Sequence, residues 1–246
     1  HSKWATIKRK KGKLDQARGK IFTRHIKEIT TAARVGGGDP DGNPRLRTAI
    51  LAAKAANMPA DNIKRGILKG TGQLPGVTYE SITYEGYGPN GVAVYMEVMT
   101  DNKNRTVADI RHLLTKYNGN LGASGCVAWM FESRGVITVE LNAADENKLM
   151  ELAMDAGAED FKSEAGAYEI ITQPHDLEAV KEALEKAKIP MVSSEVTMIH
   201  KNSVKLTSES EASSMLKLME ALEEYDDVQK VYANFDIDEE LLNKLA

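Results

Sequence analysis

Apolar residues recur every three or four positions from Leu14 to Ala33, through Ala17, Ile21, Phe22, Ile26 and Ile29. That spacing predicts a helix over 14–35 with one buried stripe. Gly36-Gly37-Gly38 ends it, because glycine accepts the left-handed conformation beyond a helix terminus. Asn43-Pro44 then reads as a cap followed by a first-turn proline, which starts a second helix running to about Asn57. A third, over about 59–69, opens at Pro59 and stops near Gly70. Three short-linked helices with no strand pattern make a small bundle.

From Tyr79 the period changes to two. Val92, Val94, Met96 and Val98 alternate with Ala93, Tyr95 and Glu97, the pattern of a half-buried strand. A helix is expected at about 106–117, with Thr106-Val107-Ala108-Asp109 spaced as a capping box, and the apolar run Cys126–Phe131 reads as a strand. Strand 135–141, helix 144–156, strands near 160–164 and 167–173, helix 176–188 and strand 191–200 follow in βαββαβ order, which matches a ferredoxin-like unit. A helix at 209–224 and a strand at 228–235 finish the chain and are expected to complete the sheet begun at 79–133. The predicted fold class is therefore α+β and multidomain. It comprises an N-terminal three-helix bundle (1–77), a discontinuous α+β domain (78–133 and 203–246) and an inserted ferredoxin-like domain (134–202).

Composition sharpens this picture only through charge. The chain of 246 residues is 42% hydrophobic and 28% charged, enough to bury cores, and no apolar run reaches the roughly 18 residues of a membrane span. The single cysteine, Cys126, excludes internal disulfides and fits a reducing, cytoplasmic setting. The formal net charge is −4, but residues 1–70 carry 17 Lys and Arg against 5 Asp and Glu, while residues 71–246 carry 15 against 31. A basic arm on an acidic body points to a polyanionic partner. No histidine pair has metal-ligand spacing, and no nucleophile elbow, Walker loop or Cys-His arrangement is present. Hence no enzyme activity, no metal and no cofactor are expected. Gly86-Tyr87-Gly88-Pro89-Asn90-Gly91 satisfies a dinucleotide fingerprint by letter, but a strand follows it rather than a helix, so a hairpin turn is expected. The βαββαβ unit lacks aromatic residues in its first strand and is acidic, which excludes a base-stacking platform there.

The candidate nucleic-acid contacts are basic. Lys3, Lys8, Arg9, Lys10, Lys11 and Lys13 form a tail able to lie along phosphates, with Trp4 placed either to stack on a base or to pack on the bundle. On the first helix Lys13, Lys20, Arg24, Lys27 and Arg34 fall on one face, roughly opposite the apolar stripe. Arg45, Arg47, Lys64, Arg65 and Lys69 add charge from the next two helices. Lys103 and Arg105 precede the helix expected at 106, where free N–H groups favour an anion; an ordinary capping loop is the other reading.

Taken together, several segments resemble the YebC/PmpR family, which includes the mitochondrial translational activator of cytochrome c oxidase. The resemblance rests on His1-Ser2-Lys3-Trp4-Ala5, Arg18-Gly19-Lys20-Ile21-Phe22-Thr23, Gly36-Gly37-Gly38-Asp39-Pro40 and Asn43-Pro44-Arg45-Leu46-Arg47. It continues in Asn57-Met58-Pro59, Tyr84-Glu85-Gly86-Tyr87-Gly88-Pro89, Thr100-Asp101-Asn102, Asn104-Arg105-Thr106-Val107, Gly119-Asn120-Leu121-Gly122 and Asp226-Asp227-Val228-Gln229. Lys11-Gly12-Lys13-Leu14 departs from the alanine-rich run of many relatives but keeps the charge, and a short extension is expected before His1. The resemblance implies three domains, no catalytic residues, and a role in gene expression. The expected partner is the ribosome and its RNA, held through the bundle; double-stranded DNA, bound by a transcriptional regulator, is the alternative. No membrane partner is expected, and the oligomeric state is left open.

Overall fold

The apolar stripe of the first helix decides how the N-terminal region packs. In the computed structural model, which describes residues 4, 7, 8, 18–164 and 166–245, α1 spans Arg18–Gly36, α2 Pro44–Ala55 and α3 Ala60–Gly70. Ile29, Ala32 and Ala33 of α1 meet Leu46, Ala49 and Ala53 of α2, Ile63 of α3 and Met58 between them in one buried core. The expected start at residue 14 lies outside the described residues. Asn43 joins α1 to α2: its Oδ1 accepts from the Leu46 N–H at 3.1 Å, and its Nδ2 donates to the Ala32 and Gly37 carbonyls, each at 2.8 Å. The α1–α3 contact depends on Gly70, where an added Cβ would stand 2.4 Å from the Thr30 carbonyl oxygen and 2.8 Å from the Ala33 Cβ. Backbone cannot rotate out of the way, so Gly70→Ala is expected to cost about 2–3 kcal/mol, read as a lower urea midpoint at unchanged m-value.

The strand pair that follows is an antiparallel hairpin. β1 (Glu80–Tyr87) and β2 (Ala93–Thr100) run in register from Glu80↔Thr100 to Tyr87↔Ala93. Their connection holds Asn90 and Gly91 at φ 57° and 75°, and the Gly88 N–H donates to the Val92 carbonyl at 2.8 Å, so the Gly-x-Gly-x-x-Gly run is a turn between strands. α4 (Lys103–Lys116) and β3 (Asn120–Leu121) come next, and α7 (Glu209–Glu224) and β9 (Val228–Ala233) return from the end of the chain. The sheet order is β3-β1-β2-β9, which places the late strand beside β2. Asn102, not Thr106, caps α4 by accepting from the Arg105 N–H at 3.0 Å, so the helix begins three residues earlier than its capping-box spacing suggested.

Between these pieces lie β4 (Phe131–Glu140), α5 (Glu146–Asp155), β5 (Asp160–Glu164), β6 (Ala167–Thr172), α6 (Leu177–Lys186) and β7 (Ser193–His200). Their antiparallel sheet has the order β5-β6-β4-β7, the ferredoxin-like arrangement, over a core of Ile137, Val139, Ile170, Leu149, Val180 and Leu184. The run 126–131 is not a strand: Ala128–Met130 is a 3-10 turn with Trp129 62% exposed, and one unbroken strand starts at Phe131. Past β9 the chain adds β10 (Phe235–Ile237), paired in parallel with β8 (Val204–Leu206), and then α8 (Glu239–Leu245).

Two compact units result. One holds the described residues of Lys13–Cys126 and Ser210–Val231, and the other those of His1–Gly12, Val127–Glu209 and Tyr232–Ala246. The segment 203–246 is thus shared between them, with α7 in the first unit and β8, β10 and α8 in the second. No helix among the described residues is long and apolar enough to cross a membrane.

Candidate nucleic-acid interface

Helical periodicity puts Lys20, Arg24 and Lys27 on one face of α1, and that face turns inward. Lys27 is 5% exposed; its Nζ lies 3.0 Å from Asp227 Oδ1 and also donates to the Asp226 carbonyl at 2.9 Å and the Met99 carbonyl at 3.3 Å. All three donors of the ammonium are used. Arg24 donates from Nε to the Val228 carbonyl at 3.0 Å and from Nη2 to the Glu223 carbonyl, while Lys20 Nζ reaches the Glu224 carbonyl at 2.7 Å. Glu223 and Glu224 end α7, where carbonyls lack helical partners and the helix dipole favours cations. Burial lowers the Arg24 pKa, opposed by the charges of Glu223 and Asp226. The expectation of an outward phosphate-binding stripe is therefore corrected for these three residues: they tie α1 to the end of α7 and the start of β9.

Asp227 is the hub of the same network. Its Oδ2 accepts from Arg105 Nη2 and Thr106 Oγ1, each at 2.8 Å, and from Thr100 Oγ1 at 3.4 Å. Burial alone would raise its pKa, but hydrogen bonds from Arg105, Thr106 and Lys27 outweigh it and bring the carboxyl down to about 2. Arg105 also pairs with Asp101 at 2.9 Å, and these bonds to Asp227 and Asp101 raise its pKa. Nearby, burial and the 2.6 Å hydrogen bond to Asp109 push Tyr225 up to about 12. Arg105 is accordingly bound by two carboxylates within this network, whereas Lys103 is exposed and bonds to no described side chain.

The remaining candidates divide further. Arg34 donates to the Tyr79 carbonyl at 2.7 Å, and Arg45 forms a bidentate pair with Glu28 at 2.7 and 3.1 Å, which raises its pKa. Among the described residues Arg47 donates to the Pro40 and Asp41 carbonyls, at 3.1 and 3.5 Å, and has no carboxylate partner. Lys64 and Arg65 on α3 are exposed and make no hydrogen bond or ion pair with a described residue. Lys54 on α2 and Lys69 on α3 share that condition. Trp4 is 6% exposed, so it packs into the protein and is not an open stacking platform; Lys8, which is exposed, lies 5.7 Å from its ring centroid. Lys3, Arg9, Lys10, Lys11 and Lys13 lie outside the described residues.

Within the first unit the bundle and the sheet also enclose a groove of about 880 Å³, which sequence reasoning did not anticipate. α1 and α2 form one wall, with Ile21, His25 and Ala52, and strands β1, β2 and β9 the other, with Ile82, Glu97 and Lys230. Burial raises the Glu97 pKa against the lowering effect of Lys230, and burial lowers that of His25.

Residues 2–73 match the TACO1/YebC protein N-terminal domain, and residues 79–235 match the TACO1/YebC second and third domain. A probable transcriptional regulatory protein of Desulfotalea psychrophila, DP2908, is 58% identical over 246 residues, which is 100% of this chain and 98% of that protein. Another of the same description from Geobacter sulfurreducens, GSU1074, is 57% identical over 100% of this chain and 98% of its own length. Among solved structures, the conserved hypothetical protein Aq1575 from Aquifex aeolicus superposes with a TM-score of 0.79 at 48% identity, over 93% of this chain and 94% of that one.

Proposed function

We propose that this chain, which belongs to the TACO1/YebC family, is a regulator of gene expression that acts in the cytoplasm on translation, by binding ribosomal RNA and without catalysing a reaction. The observation that carries this reading is the outward charge of α2, α3 and the start of α4. Arg47, Lys54, Lys64, Arg65, Lys69 and Lys103 are exposed without a carboxylate partner among the described residues, and Asp61 is the single acid in α2 and α3. Cations in this state bring phosphates no competing internal anion, so displaced counterions supply the driving force.

The full chain should therefore sediment with ribosomes and release as salt rises. If these six residues each neutralise one phosphate, log affinity should fall against log salt with a slope of about −4 on single-stranded RNA and about −5 on duplex. A flat response overturns the reading.

A second reading, double-stranded DNA and transcription, draws on the names of the two relatives above. It draws also on the four-residue connection, 56–59, between α2 and α3, a length common in helix-turn-helix units. It requires a preference for one operator of about 10³-fold or more over random duplex.

A further inference from the structure

The groove between the bundle and the sheet has a chemistry of its own. Its volume, about 880 Å³, lies within the range of about 300–1,000 Å³ usual for small-molecule sites. Ile21, Ile82 and Val98 give it apolar walls. The Glu97 carboxylate accepts no hydrogen bond from a described residue. A carboxylate with two unserved oxygens favours a ligand that carries two adjacent donors.

Charge narrows the choice. Arg24 and Lys230 are the cations lining the groove apart from Arg45, whose charge is cancelled by Glu28, and Glu97 is the remaining anion. The sum is net positive, so a lysine or arginine side chain from a protein partner would meet repulsion there. A nucleotide suits it, with phosphate toward Lys230, since the Arg24 guanidinium is held by the Val228 and Glu223 carbonyls, and base toward the acid.

We propose that the groove takes one unpaired guanine of a bound RNA strand, with the Glu97 carboxylate accepting from the guanine N1–H and N2–H. This rests on the RNA-binding reading above. Guanine presents two donors side by side, and a carboxylate has two oxygens at matching separation. Adenine and cytosine each offer one amino group and an acceptor that would face Glu97, and uracil offers a single N–H between two acceptors. Splayed-out single-stranded bases read on their Watson–Crick edge are the usual basis of sequence preference in RNA.

The test measures affinity of the full chain for nine-residue oligouridine RNAs with a central guanine, inosine or adenine. Guanine should be bound about tenfold more tightly than adenine, with inosine, which lacks the N2 amino group, in between. Glu97→Gln should shrink the guanine preference to within about twofold at an unchanged melting temperature. Ala52→Trp, which fills the groove from an exposed wall position, should do the same if the first variant is unstable. Equal affinity for guanine and adenine, or a preference that survives both variants, overturns this inference and leaves RNA binding standing. Failure to bind any RNA overturns both. Competition by arginine amide at millimolar concentration would assign the groove to a cationic side chain instead.

Discussion

Asp227→Ala is expected to lower the unfolding free energy by about 3–5 kcal/mol, because it strands the Lys27 ammonium in a site that is 5% exposed. Arg105, Thr100 and Thr106 lose their shared acceptor in the same step. The measurement is urea unfolding of the full chain at neutral pH. A paired replacement, Lys27→Met with Asp227→Leu, should recover much of the loss, since it removes the stranded charge along with its partner. The same carboxylate sets an acid limit. Its pKa falls from 3.8 in the unfolded chain to about 2 in the folded one, so its contribution is complete above pH 4 and disappears as pH drops toward 2. That window is worth about 2 kcal/mol, and Asp227→Asn should flatten this part of the stability profile relative to the parent.

Two charge-reversal triples should behave oppositely. Arg47→Glu, Lys64→Glu and Arg65→Glu together alter only exposed cations, so the melting temperature should hold while ribosome association at 0.15 M salt weakens on the order of 10²-fold or more. Lys20→Glu, Arg24→Glu and Lys27→Glu together place three carboxylates against the Glu223, Glu224, Asp226 and Val228 carbonyls and the Asp227 side chain, and the protein should fail to fold. If the second triple folds normally and loses ribosomes while the first keeps them, the outward surface is not the interface.

Local rules made much of the architecture readable. Stripe spacing located α1, the Asn43-Pro44 cap and the Pro59 and Gly70 boundaries located α2 and α3, alternation located β2, and the βαββαβ order led to a sheet with the strand order β5-β6-β4-β7. What failed was long-range. Lys27 and Asp227 are 200 positions apart, so the cations of α1 looked unpaired when their acceptors sat at the far end of the chain. Thr106 fits a capping box by spacing, yet its hydroxyl bonds to Asp227 and the earlier Asn102 takes the cap. The apolar run at 126–131 carried no period to separate strand from turn, and Trp129 faces outward. The groove could not be seen at all, because its two walls meet only when the bundle docks on the sheet.

The return of β9 to the edge of β2 also sets a timetable. Lys27, Arg24 and Arg105 leave the ribosome long before Asp227 and Val228 exist, and the intervening stretch from Val127 to Glu209 must be made first. At about 5–20 residues per second, that delay is on the order of ten seconds. Throughout it the bundle carries a lysine whose native site is a closed interior, and the sheet shows β2 as an open edge. The ferredoxin-like segment, whose strands are contiguous from 131 to 200, has all its partners before then. Synthesis from the N-terminus therefore delivers the middle of this protein finished ahead of its beginning, and truncation anywhere before residue 227 leaves the first unit without its lock.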